Sequence, residues 1–378
     1  MCGFPRITAL KEFLPYVQYK DEIGVNYGNG FVCIAYNVAF PDTFENSMLR
    51  ECRGIVFDSD TGRVLRRPFH KFFNLNEKEE TQLAKLKNIP IAAVAEKVDG
   101  TMIAPFLLNG EIYWGTKRCA FDFHIHIKTV MEHRFPEVVA FVTECLNLGV
   151  SPLFEFHDPD FSGSVIVIRY SDIKMDLLAI RDMESGNYYD DRLIRAIADR
   201  YGISIAEKFD HFSTLESIVE TLENTTGQEG VVVTLQNNEK LKIKSPWYVK
   251  RHKVKELFTR KHIMAQLTLD CAEVSIDDVA SYIEDEDRKA FKAFAKELHE
   301  SMAIVAQWTE STAKSFDNKK DFAMSSLRTY PFSSIVFKLI EDRGTDVFDL
   351  VVDDLKKKLS KEARFLEWKS KVELLKES

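Results

Sequence analysis

Glu96-Lys97-Val98-Asp99-Gly100 places a lysine at the end of an apolar run, Ile89 to Ala95, and beside a glycine turn. A lysine amine attacks phosphorus only when neutral, and both burial and neighbouring cations favour its neutral form. The chain supplies such cations in Lys240-Leu241-Lys242-Ile243-Lys244. Side chains alternate along a strand, so the three lysines share one face and Leu241 and Ile243 take the other. Lys242 and Lys244 stand just before Pro246-Trp247-Tyr248 and suit phosphate binding, whereas Lys240 reads as part of a solvated face. By itself K-x-D-G is a short pattern, and a surface turn with a solvated lysine would carry the same four residues.

Two carboxylates draw attention through their surroundings. Glu155 lies in the apolar run Leu153-Phe154-Glu155-Phe156, where a charge is costly unless paired or hydrogen-bonded. A ligand contact and a structural salt bridge both satisfy that requirement. Glu229 precedes Gly230-Val231-Val232-Val233 and suits either a Mg²⁺ site at a strand mouth or an ordinary turn. Arg53 stands directly before an apolar strand, and Lys71 sits beside Phe72 and Phe73. Cations next to aromatic rings suit a nucleotide with its phosphates, although Phe72 and Phe73 read first as core. Tyr36 and Lys117 are weaker candidates of the same kind.

Positioning these residues requires short strands. Between residues 30 and 245, alternating or β-rich runs are expected at Gly30–Tyr36, Gly54–Asp58, Ile91–Lys97, Met102–Leu108, Glu111–Thr116, Pro152–His157, Ser164–Tyr170, Met175–Arg181, Gly230–Leu235 and Lys240–Lys244. Asn109-Gly110 is a two-residue hairpin signal. Helices are expected near 123–148, 189–201 and 213–224. The pattern is α+β with antiparallel strands. Beyond 250 the spacing changes: Phe291, Phe294, Leu298, Met302, Val305 and Trp308 recur at helical intervals, as do apolar residues at 332–341 and 346–368. An antiparallel-sheet domain at 1–255 followed by an all-helical domain at 256–378 is the expected division.

With 378 residues, 45% hydrophobic and 29% charged, the chain can bury the cores of two domains. No apolar run reaches the roughly 18 residues that would suggest a membrane span. Six scattered cysteines without a C-x-x-C pair argue against a disulfide framework and for a reducing cytoplasm. The net charge is −8, yet nine Lys or Arg against one acid crowd residues 240–261. That local charge is compatible with a nucleic-acid partner.

Lys97-Val98-Asp99-Gly100, Leu153–Phe156, Gln228–Val232 and Leu241–Lys244 occur in the order of the collinear motifs of covalent nucleotidyltransferases, the superfamily of DNA ligases, RNA ligases and mRNA capping enzymes. Lys97, Glu155, Glu229 and Lys244 are separated by 58, 74 and 15 residues, matching that spacing. Glu51-Cys52-Arg53-Gly54, Lys71-Phe72-Phe73-Asn74-Leu75-Asn76-Glu77 and Lys242-Ile243-Lys244-Ser245 with Trp247-Tyr248 resemble more narrowly the ATP-dependent RNA ligases of T-even-like bacteriophages. This resemblance covers about residues 30–250.

The resemblance implies an ATP-grasp-like nucleotidyltransferase domain in which Lys97 carries AMP covalently. It implies ATP contacts from Tyr36, Arg53, Lys71, Lys117, Lys242 and Lys244, a ribose or metal contact from Glu155, and a metal contact from Glu229. Tyr248 matches a position where that family needs tyrosine, and Asp277, in Ser275-Ile276-Asp277-Asp278, resembles an acidic metal contact. The implied reaction uses ATP with Mg²⁺ or Mn²⁺ to seal a 5′-phosphate to a 3′-hydroxyl of RNA, as in repair of a broken tRNA anticodon loop. A monomer in the cytoplasm, the host's if a phage encodes it, is the implied setting. A DNA ligase or capping enzyme would typically append an OB-fold where this chain appends helices. A non-catalytic RNA-binding protein would use the basic run with Trp247 and Tyr248 as a stacking surface.

Overall fold

The computed structural model describes residues 3–119, 121–159, 166–168, 170–258, 260–270 and 285–376. Twelve strands are formed among these: β1 (Ile23–Tyr27), β2 (Phe31–Tyr36), β3 (Arg53–Asp58), β4 (Val64–Arg66), β5 (Phe73–Asn74), β6 (Ile91–Glu96), β7 (Thr101–Leu108), β8 (Glu111–Gly115), β9 (Val150–His157), β10 (Lys174–Asp182), β11 (Gly230–Leu235) and β12 (Lys240–Lys244). They build three four-stranded sheets, ordered β1-β2-β3-β4, β10-β9-β7-β8 and β5-β12-β11-β6. The strand pairings within these sheets are antiparallel except β5 with β12, which is parallel.

Alternation decides which residues face the seam between the second and third sheets. In β11 and β12, Val231, Val233, Leu241 and Ile243 pack with Val94 of β6 against the helix Leu215–Glu223. The intervening positions, Val232, Thr234, Lys240 and Lys242, face the other way and line a cavity. In β9, Phe154 and Phe156 join the core under the helices Phe121–Arg134, Pro136–Asn147 and Asp191–Tyr201, leaving Leu153 and Glu155 on the seam side. The seam is closed by Phe69, Phe72, Ala104, Leu153 and Ala179.

Several expectations change in detail. Asn109 and Gly110 both take positive φ and turn β7 into β8, as the dipeptide predicted. The helix expected at 123–148 is two, because Pro136 opens a second helix after Phe135. The periodic stretch 346–368 likewise resolves into Val347–Lys356 and Glu362–Lys376. The described part of 164–170 is loop rather than strand. The backbone N–H groups of Val167 and Ile168 donate to Asp99 Oδ2, at 2.7 and 2.9 Å, instead of to a neighbouring strand. Arg66 and Arg67 are fully buried.

Two compact units are distinguished, Met1–Val249 and Lys250–Ser378. The second is helical. Its long helix Asp285–Lys314 contributes Leu298, Met302 and Val305 to a core shared with Ile335, Val351, Phe365 and Trp368. Among the described residues, no helix is long and apolar enough to cross a membrane.

Candidate nucleotide site

Lys97 follows β6 directly, and its backbone N–H donates to Gly230 O at 2.9 Å. That bond puts its side chain beside Glu229. Lys97 Nζ donates to Glu229 Oε1 at 2.8 Å, and Lys244 Nζ donates to the same oxygen at 3.0 Å. Glu229 is only 2% exposed and Lys97 22%. Ser245 fixes this acid from behind: its backbone N–H donates to Glu229 O, and its hydroxyl donates to Gln228 O. Gly230 is required there, because a Cβ would lie 2.1 Å from Ile243 O.

The turn after Lys97 is anchored through Asp99, which is 3% exposed. Its Oδ1 accepts from Tyr248 Oη at 2.8 Å, while Oδ2 takes the two N–H groups of Val167 and Ile168. Gly100 then lets the turn approach β9, since a Cβ would meet Phe156 O at 2.6 Å and Glu155 Cγ at 3.0 Å. Tyr248 is itself 2% exposed. A stacking surface built on Tyr248 is therefore excluded.

Next to Lys97 lies a cavity of about 300 Å³, lined by Arg53, Phe72, Lys97, Glu155, Lys240 and Lys242 among others. Glu155 meets solvent only partly, and it lines this cavity. Burial, reinforced by Glu229 and Asp99, pushes its carboxyl up to about 8 against the opposing pull of Lys97 and Arg53. Burial together with Arg53, Lys71, Lys97 and Lys244 brings Lys242 down to about 7. Lys117 is brought down to about 8 by burial and by Arg118, Arg53 and Lys71. Its ammonium lies 3.7 Å from the centre of the Tyr36 ring. Lys71, lowered by burial more than Glu77 restores, faces the same ring at 5.7 Å and lines a second cavity. The candidate residues of the first unit thus form one cationic cluster around two carboxylates.

Lys240 corrects an expectation. It is not on a solvated face: it lines the cavity, its Nζ donates to Thr234 Oγ1 at 2.8 Å, and burial with Lys208 lowers it to about 8. That face of its strand turns toward the cavity between the sheets, which alternation alone does not reveal. Glu96, which the sequence reading passed over, also lines the cavity, and burial raises its carboxyl. Its place directly before Lys97 was the available signal. Asp277 lies outside the described residues, and no group of three or more His, Cys, Asp or Glu poised for a metal occurs among the described ones.

A family model described as RNA ligase matches residues 51–248, more than half of the chain. The chain belongs to the RNA ligase family. The match takes in Arg53, Lys71, Lys97, Lys117, Glu155, Glu229, Lys242, Lys244 and Tyr248. Separately, the chain is 32% identical over 249 residues to a protein of Thermovibrio ammonificans named "Putative RNA ligase", covering 65% of this chain and 64% of that one. It is 28% identical over 167 residues to RNA ligase 1 of bacteriophage TS2126, covering 43% and 42%. Both matches thus span less than two thirds of the relative's own length. Among solved structures, an archaeal ATP-dependent RNA ligase is 13% identical, with a TM-score of 0.48 and coverage of 79% of this chain and 80% of that one.

Proposed function

We propose that the chain is an ATP-dependent ligase that seals RNA ends through AMP carried on Lys97. One observation carries the reading: the Lys97 amine is held by Glu229 and faces a cavity that Glu155, Arg53 and Lys242 also line. In the first step Lys97 Nζ attacks the ATP α-phosphorus. An N–P bond forms, and the bond to pyrophosphate breaks. Lys242, Lys244, Arg53, Lys71 and Lys117 offset the phosphate charge, and Tyr36 shares the Lys117 corner of the site. In the second step the 5′-phosphate of an RNA end displaces Lys97 from the adenylate. In the third a 3′-hydroxyl attacks that phosphate, joining the strands and releasing AMP.

Glu229 and Glu155 offer hard carboxylate oxygens of the type that hold Mg²⁺, which binds through one or two carboxylates and substrate phosphates rather than an all-protein cage. A divalent ion held there would supply positive charge against the leaving pyrophosphate. Tyr248 has a positioning role in this account, because its hydroxyl meets Asp99. The first unit would be the adenylyltransferase, and tRNA broken in its anticodon loop is the substrate the family resemblance favours.

The test is sealing itself. A 5′-labelled, 5′-phosphorylated oligoribonucleotide is incubated with the protein, Mg²⁺ and ATP, beside parallel reactions with GTP and with an oligodeoxyribonucleotide. Joined or circular RNA with ATP is the expected product. Joining of DNA alone, or use of GTP alone, would overturn the reading.

A further inference from the structure

We infer that Phe40, displayed on the turn that follows β2, is a stacking platform for the nucleotide at the RNA end to be joined. This rests on the ligase reading above. Residues 37–42, Asn-Val-Ala-Phe-Pro-Asp, are all exposed, and Val38 and Phe40 are each 52% exposed. Leaving a phenyl ring in water forfeits burial energy.

The turn is built. Phe40 N–H donates to Thr43 Oγ1 at 2.9 Å, and Thr43 N–H donates back to Phe40 O at 3.3 Å. Thr43 is 1% exposed, so the bonds that shape the turn are rooted in the interior. Lys78 Nζ donates to Pro41 O. Phe44 continues the anchor, with its ring centre 5.2 Å from Tyr36 and 6.1 Å from Phe73. Phe40 is therefore held in place rather than left on a slack loop.

Its surroundings suit a polyanion that also presents bases. Tyr36, at the foot of the turn, lies beneath Lys117 and Lys71, and Lys71 also lies 5.3 Å from the Phe44 ring. Lys78 stands on the other limb, 5.4 Å from the Phe73 ring. The acids of the segment, Asp42 and Glu45, follow the aromatic in sequence. An exposed aromatic on a turn held by a lysine, here Lys78 on the Pro41 carbonyl, has the two elements by which proteins hold single strands without reading their sequence. The phosphates would meet the lysines that crowd the nucleotide site, and the terminal base would lie on Phe40.

Three full-length proteins test this: wild type, Phe40→Ala and Phe40→Trp. Binding of a fluorescent 5′-phosphorylated oligoribonucleotide is followed by anisotropy, and Lys97 adenylation by label transfer from ATP. Phe40→Ala should weaken RNA binding about tenfold, within the range for losing one stacked base. It should leave label transfer within about twofold, and Phe40→Trp should restore binding. Unchanged binding in Phe40→Ala, or a loss of label transfer as large as the loss of binding, would overturn the inference. Wild type that binds RNA through Phe40 but takes no label would instead overturn the ligase reading and leave the surface standing.

Discussion

Tyr248 Oη donates to Asp99 Oδ1 at 2.8 Å across 149 positions of sequence, closing the turn that follows Lys97 from the far end of the first unit. Asp99 has no slack, because its other oxygen holds Val167 and Ile168. Tyr248→Phe removes one donor to a buried carboxylate, a loss of about 1.5–3 kcal/mol for a hydrogen bond to a charged group. Thermal melts should show the destabilisation. Label transfer to Lys97 should slow at temperatures where the variant is still folded, since the turn is left less constrained. An unaltered melt and an unaltered rate would remove Tyr248 from the positioning role.

Glu51 makes a different prediction, for a residue outside the cavity beside Lys97. It is 2% exposed and paired with two fully buried arginines: Arg67 Nη2 donates at 2.9 Å, and Arg181 Nη1 and Nη2 each donate at 2.8 Å. Burial opposes the charge, but Arg181 and Arg67 prevail and hold the carboxyl below its ordinary range. Glu51→Ala strands two buried cations, so a loss of about 3–5 kcal/mol in chemical denaturation is expected. The sign with pH follows: this stability is present above the unfolded carboxyl's range and is lost as pH falls through the depressed folded value.

Glu155 has the opposite sign. Burial raises its carboxyl from 4.5 to about 8, so between those values the folded state holds a proton that the unfolded chain has released. The contribution is greatest below 4.5 and is lost as pH rises toward 8. Glu155→Gln should therefore flatten the fall in stability between about pH 5 and 8 in denaturant melts of the free protein. A slope equal to that of wild type would show that the carboxyl is already ionised.

Lys242, lowered to about 7 chiefly by burial and then by Arg53, Lys71, Lys97 and Lys244, gives a ligand-linked prediction. A bound triphosphate offsets those cations and raises the amine's affinity for its proton. Above pH 7, ATP binding should take up protons, seen in calorimetry as heats that depend on the buffer's ionisation enthalpy. Lys242→Met should abolish most of that dependence.

These cases separate what the sequence reveals from what it hides. Local rules found the hairpin turn at Asn109-Gly110, the shared lysine face of β12 and the helical spacing of the second unit, because each lies within a few residues. Lys97, Glu155, Glu229 and Lys244 were legible through ordered motifs. The partnerships of Asp99 with Tyr248 and of Glu51 with Arg181 span 149 and 130 positions and carry no local signature. Lys240 was misread for a related reason: alternation tells which residues share a face, but only the packing of the second sheet tells that this face lines a cavity. Pro136 did carry a local signal, and its enrichment at first helical positions would have split the 123–148 helix.

The central claim is that one amine, Lys97 Nζ, receives AMP. The direct measurement is incubation of the full chain with Mg²⁺ and α-labelled ATP, followed by a denaturing gel and peptide mapping by mass spectrometry. A single adenylate on the peptide containing Lys97, absent from Lys97→Ala, is the predicted result. Label that persists in Lys97→Ala, or that maps to another residue, would contradict the account.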